Sequence, residues 1–259
     1  MVGDQEQSYR SSFGAAAAEY AEHRPDYARA AVRWALGLAP GPRVLDLGAG
    51  TGKLTATLVE HGAEAVAVEP DPAMLAELRR ALPRVRALSG SAEAIPLPDS
   101  SVDAVIAGNA LHWFDMDVAG PEIARVLAPH GSLAGLWNVF DDRVPWVAEL
   151  ERIGGPAAIG SRDTLGNWRA ETAAAHLPTD GSTARFASPE QAEFPHGQLR
   201  TADSLVATFA TKAGMLVMPD EEREAVLGRI REFLASTPET ARGAFTLPML
   251  TGVLRVERL

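Results

Sequence analysis

Gly48, Gly50 and Gly52 stand on alternate positions after the apolar run Val44-Leu45-Asp46-Leu47, and Lys53, Leu54, Leu58 and Val59 follow at helical spacing. Residues in that order make a buried strand, a tight turn and a helix. Glycine in the turn permits positive φ and lets another molecule reach the backbone with no Cβ in the way. A second apolar run, Ala65-Val66-Ala67-Val68, ends in Glu69, nineteen residues after Gly50. A carboxylate at the carboxyl end of a second strand can accept hydrogen bonds from both hydroxyls of a ribose. Turn and carboxylate together describe a nucleoside-binding site where the strand order reverses. In the dinucleotide fingerprint a third Gly or Ala falls three residues after the second; here that position, 53, is Lys.

The elements that must position these groups follow the same rhythm. Strands are expected near 43–48, 65–69, 85–88, 102–107 and 132–137, with helices at 52–61, from Asp71-Pro72 onward, and at 117–128, where Pro129-His130-Gly131 breaks the last one. Proline at the first helical position suits the start after Asp71. Short strands alternating with helices imply right-handed crossovers and a parallel sheet. Upstream, Phe13 to Leu38 read as two helices bent at Arg24-Pro25, and residues 1–10 as a frayed polar end. Residues 141–190, rich in Gly, Pro, Ala and polar residues, show no clean strand and are expected to form a cap. Beyond them, 192–199 read as a sixth strand, 201–211 and 219–235 as helices, and 245–259 as a final antiparallel edge strand.

With 259 residues the chain can bury one large core. No apolar run is long enough to span a membrane, and the start MVGDQEQSYR is neither basic nor apolar, so a cytoplasmic location is expected. The absence of cysteine removes disulfides, thiolate metal sites and cysteine nucleophiles. A net charge of −10, few lysines and scattered arginines disfavour a nucleic-acid surface. No paired carboxylates with ligand-like spacing follow strands four and five, so no metal is expected.

The stretch Asp46-Leu47-Gly48-Ala49-Gly50-Thr51-Gly52 closely resembles motif I of class I S-adenosylmethionine (SAM)-dependent methyltransferases. Val68-Glu69-Pro70-Asp71-Pro72-Ala73-Met74-Leu75 is similar to the second motif of that family, residues 90–99 to its adenine-contacting loop, and Ser101-Val102-Asp103-Ala104-Val105 to its fourth strand. The tail resembles the trans-aconitate-methyltransferase-like (methyltransferase type 11) group. The resemblance implies a Rossmann-like, seven-stranded, mostly parallel sheet with helices on both faces, an antiparallel last strand and a helical cap. Residues 1–40 would form an amino-terminal helical lid, 41–140 the SAM-binding core, 141–200 the cap and substrate region, and 201–259 the closing helices and strand of the same domain.

By the same resemblance, Gly48, Ala49 and Gly50 contact the methionine and ribose portions of SAM, and Asp46 helps hold the ammonium group. Glu69 binds the ribose hydroxyls, Pro70 and Met74 flank the adenine, and Ser91, Ala92 and Glu93 lie at its edge. Many relatives carry Asp where this chain has Ser91, and Glu93 reads equally as a surface or helix-start carboxylate. Asn109 falls near the methionine moiety, and His112, in Ala110-Leu111-His112-Trp113-Phe114, is the candidate base; packing of the loop is its competing role. Tyr20 and Arg24, in the pattern Phe13-Gly14-x5-Tyr20-x3-Arg24-Pro25-x-Tyr27, would close over the site, Arg24 facing a carboxylate. Its competing role is a helix-end salt bridge. Trp137, Asn138 and Trp146 could line a substrate pocket, and the stretch Thr211 to Met215 departs from the pattern of the trans-aconitate enzymes.

Methyl transfer from a sulfonium is an in-line displacement, so the protein mainly has to hold nucleophile and methyl group in line; positioning supplies ~7–11 kcal/mol. The leading expectation is transfer to oxygen or nitrogen of a small metabolite. A SAM-consuming lyase or cyclase that releases methylthioadenosine, and a non-enzymatic SAM-binding module, use the same cofactor motifs.

Overall fold

The computed structural model describes residue 14 and residues 17–155 and 186–259. Residues 1–10, expected to fray, Phe13 and residues 156–185 of the expected cap lie outside the described residues. The described residues group into two compact units, one of 14, 17–25, 139–155 and 195–250, the other of 26–138, 186–194 and 251–259.

The elements run in the order α1 (Ala17–His23), α2 (Arg29–Ala35), β1 (Arg43–Leu47), α3 (Lys53–Glu60), β2 (Glu64–Glu69), α4 (Pro72–Ala81), β3 (Arg86–Ser89), β4 (Val102–Gly108), α5 (Met116–Val126), β5 (Leu127–Phe140), α6 (Pro145–Ile153), β6 (Glu190–Arg200), α7 (Ala202–Ala210), α8 (Ala213–Leu216), α9 (Asp220–Ser236) and β7 (Phe245–Glu257). The seven strands form one sheet in the order β3-β2-β1-β4-β5-β7-β6, parallel through the first five and antiparallel at the last strands. From β1 the chain steps outward to β2 and β3, then returns to β4 on the other side. Right-handed crossovers therefore put α3 and α4 on one face and α5 on the other. On the first face, Ala31, Val32 and Ala35 of α2 and Leu54 and Leu58 of α3 bury against Val44, Ala104, Ile106 and Leu136.

Two expectations change. The expected helix 117–128 is α5, and it already ends at Val126; Leu127 pairs with Val102 as the first residue of β5. The register then shifts so that Ala104 meets Ser132. His130 takes a φ of +61°, so Pro129-His130-Gly131 loops out within the strand pairing rather than separating helix from strand. The carboxyl-terminal strand is not the edge: β7 lies between β5 and β6. Most of its residues are buried, whereas β6 buries none, and burial on both sides selects the inner position.

In the unit of 17–25, 139–155 and 195–250, the core gathers Phe140, Leu150, Leu205, Phe209, Ile230 and Met249. Phe140 and Phe209 meet edge to face, with centroids 5.6 Å apart. Thr201 and Ser204 close a reciprocal capping box on α7.

Candidate active site

The glycine turn docks on the end of β2 through backbone bonds. Gly48 and Ala49 donate to the Val68 carbonyl at 2.9 and 3.1 Å. Gly50 donates its N–H to Glu69 Oε2 at 2.8 Å, and Asp71 donates to Oε1 at 2.9 Å. Glu69 is thus held by one backbone N–H on each oxygen, with lone pairs left for a diol. Burial raises its pKa, and the hydrogen bonds from Asp71 and Gly50 oppose that rise. Asp71 also caps α4, accepting from Ala73 and Met74, with Pro72 in the first turn. Met74 is buried and Pro70 exposed.

Gly48, Gly50 and Gly52 all have positive φ, at +70°, +55° and +88°. At Gly50 an added Cβ would meet nothing within 4 Å, so the space above the turn is open. At Gly48 it would fall 2.8 Å from the Ala110 Cβ and 3.6 Å from the Phe114 ring, so the loop after β4 packs on the turn. That loop carries His112, half-buried, its ring centroid 5.1 Å from that of Trp113. Asn109, at φ +49°, accepts the Asn138 N–H on Oδ1 at 2.9 Å and donates its own N–H to the Leu136 carbonyl at 2.7 Å.

Asp46 is fully buried on the face of α3, in register with Ala67 and Ile106. Thr55 donates to its Oδ2 at 2.5 Å, and among the described residues Oδ1 has no hydrogen-bond partner. Burial pushes its pKa up to about 7. Thr51, inside the turn, likewise has a buried hydroxyl with no partner among the described residues. Two orphaned polar atoms, an open approach over Gly50 and a braced carboxylate for a diol fit SAM.

The loop 90–99 is set by α5. Glu122 Oε2 accepts from Ile95 N at 3.1 Å, and Arg125 donates to the Ile95 and Leu97 carbonyls at 3.0 and 2.8 Å. Ser91 bridges to Ala94, and Ala92 is buried. Glu93 Oε1 accepts from Asp115 N, the N-cap of α5, at 3.1 Å, which is the helix-start contact. Tyr20 and Arg24 belong to the other unit, where the Arg24 guanidinium lies 4.7 Å from the Tyr20 ring centroid and donates to the Thr211 carbonyl at 3.0 Å. Trp146 packs edge to face on Phe245 in that unit, and Trp137 is a core residue, 3% exposed. Thr55, Glu122 and Arg125 were not legible in advance, because their partners lie nine to thirty residues away and only helix placement joins them.

A doubly wound sheet with a glycine turn after β1 and a braced carboxylate after β2 defines a nucleoside-binding enzyme fold. The methyltransferase-domain family model matches residues 45–135, which hold the turn, Glu69 and the His112 loop. An uncharacterized methyltransferase of Mycobacterium tuberculosis is 41% identical over 245 residues, 94% of each chain. A structure from Anaeromyxobacter dehalogenans described as a type II methyltransferase is 26% identical, with a TM-score of 0.63 over 91% of this chain and 97% of that one. A SAM-dependent methyltransferase structure from Thermotoga maritima shares the fold at 17% identity and a TM-score of 0.50, over 96% of this chain and 99% of that one. The chain belongs to the class I SAM-dependent methyltransferases; it is an enzyme, and SAM is its cofactor. Relatives over nearly the whole length favour methyl transfer over the lyase or cyclase alternative.

Proposed function

We propose that this methyltransferase acts in the cytoplasm on an oxygen or nitrogen of a small, diffusible metabolite. The packing of Ala110 and Phe114 on Gly48 supports the reading, because His112 belongs to the same loop. SAM supplies an electrophilic methyl group on a sulfonium. The chain supplies position: the turn backbone and Glu69 hold the nucleoside, the buried Asp46 acts on the ammonium group through the loop or a water, and the 90–99 loop borders the adenine. His112 accepts the proton of an acceptor hydroxyl or amine. The net charge of −10 argues against a polyanionic acceptor.

Incubation with methyl-tritiated SAM and fractionated cell extract tests this. Label should enter the low-molecular-mass fraction; label confined to protein or nucleic acid would sink the small-molecule reading. Once an acceptor is in hand, His112→Ala should lower turnover by ~10²–10⁴-fold with SAM affinity nearly unchanged. Equal turnover would reduce His112 to a packing residue.

A further inference from the structure

The three residues Asp26, Tyr27 and Ala28 cross the carboxyl ends of the central strands, and each is tied to a different part of the cofactor-side framework. The Asp26 carbonyl accepts from Asn138 Nδ2 at 3.0 Å, and its carboxylate lies 3.4 Å from Lys53 Nζ, on the first residue of the helix that leaves the glycine turn. Tyr27 is buried, and its hydroxyl occupies the place where a Cβ on Gly108 would stand, 2.6 Å away. Ala28 donates its N–H to Thr251 Oγ1 at 3.2 Å.

Asn138 and Thr251 join these ties to the turn. The Thr251 hydroxyl, fully buried on β7, donates to Asn138 Oδ1 at 3.1 Å while it accepts from Ala28. Asn138 also donates its backbone N–H to Asn109 Oδ1, which holds Asn109 in its left-handed conformation at the root of the loop that packs on Gly48. A left-handed non-glycine residue persists only where its surroundings over-determine it. Here those surroundings are one chain of bonds from Ala28 through Thr251 and Asn138 to Asn109.

We infer that Asn138 and Thr251 are positioning residues that join the docked 26–28 segment and the cofactor turn into one cooperative unit. Neither residue needs to touch the cofactor: they act through Asn109 and Asp26. Release of the segment would free Asn109, loosen the 110–114 loop from Gly48 and remove the Lys53 counter-charge together. The inference rests on the cofactor site described above, and its consequence is that SAM binding and docking of the segment are linked.

Amide hydrogen exchange of the wild-type protein, with and without saturating SAM, tests the linkage, with binding checked by titration calorimetry. Gly50, bonded to Glu69, reports the turn; Ala28 reports the segment. At a hundredfold excess of SAM over its dissociation constant, exchange at Ala28 should slow by at least about tenfold, in step with Gly50. Slowing at Gly50 with Ala28 unchanged would overturn the inference and leave the cofactor site intact. A wild-type protein that does not bind SAM would overturn both. As a second readout, Thr251→Val keeps the side-chain volume but not the hydroxyl and should weaken SAM about tenfold, whereas Thr251→Ser should bind within about twofold of wild type. Equal affinity in all three proteins would overturn the inference. A Thr251→Val protein that does not fold leaves the decision to the wild-type exchange measurement.

Discussion

Around the glycine turn the donors are backbone N–H groups, and their partners come from the end of one neighbouring strand, β2: Gly48, Ala49 and Gly50 on Val68 and Glu69. In the unit of 17–25, 139–155 and 195–250 one buried charge is instead surrounded by side chains drawn from distant segments. Lys212, 8% exposed, sits 3.6 Å from Glu151 and lies over the rings of Phe140 and Phe209 at 5.1 and 4.8 Å. The first arrangement tolerates changes in helix packing because strand pairing fixes it. The second depends on four side chains arriving together, and a buried charge there has little to fall back on when one of them is lost.

The largest effect expected is at the turn itself. Gly50→Val puts a branched side chain at φ +55° into the open approach and should abolish SAM binding, read by calorimetry; normal binding would remove the turn from the site. In the unit of 17–25, 139–155 and 195–250, Lys212→Met should cost about 3 kcal/mol of stability by removing the counter-charge of the half-buried Glu151, while SAM affinity of the folded protein stays within about twofold. Denaturant unfolding and titration read the two quantities separately. A parallel loss of SAM affinity would break the distinction between the regions. Glu69→Ala should weaken SAM by ~1.5–3 kcal/mol, as for hydrogen bonds to a charged group, and unchanged affinity would refute the diol assignment.

The smallest effect is a pH dependence centred on Asp46. Its carboxyl binds a proton more tightly in the fold than in the unfolded chain, with a pKa of about 7 against 3.8. Its contribution to the stability of the cofactor-free protein is therefore full at low pH and lost as pH rises through about 7. In the proposed complex the ammonium group of SAM favours the ionised form of Asp46, so the sign for binding is reversed. SAM should bind about tenfold more weakly at pH 5.5 than at pH 7, where its amine stays protonated throughout. Asp46→Asn should flatten that slope; a slope that survives would assign the titration elsewhere.

Much of the cofactor region was legible from the residues because its chemistry is local. A strand, a glycine turn and a helix lie within 43–61, and Glu69 ends the next strand, so periodicity and glycine spacing marked turn and carboxylate alike. The same local cues misplaced the boundary at 127–131, where Pro129 and Gly131 signal a break but strand pairing absorbs the loop through a left-handed His130. Nothing local marked Thr251, whose neighbours in sequence are an ordinary strand.

From its amino-acid order alone, then, the chain determined where its strands and helices fall around the turn, and that a carboxylate ends the second strand. Backbone conformation and short-range spacing control those features. Tertiary structure alone decided that β7 inserts between β5 and β6, that Asp46 is sealed under α3 with a raised pKa, and that Thr251 and Asn138 reach back to Ala28 and Asp26. Each depends on residues from nine to more than two hundred positions apart meeting in a packed interior, where burial and hydrogen-bond satisfaction, rather than local propensity, set the outcome.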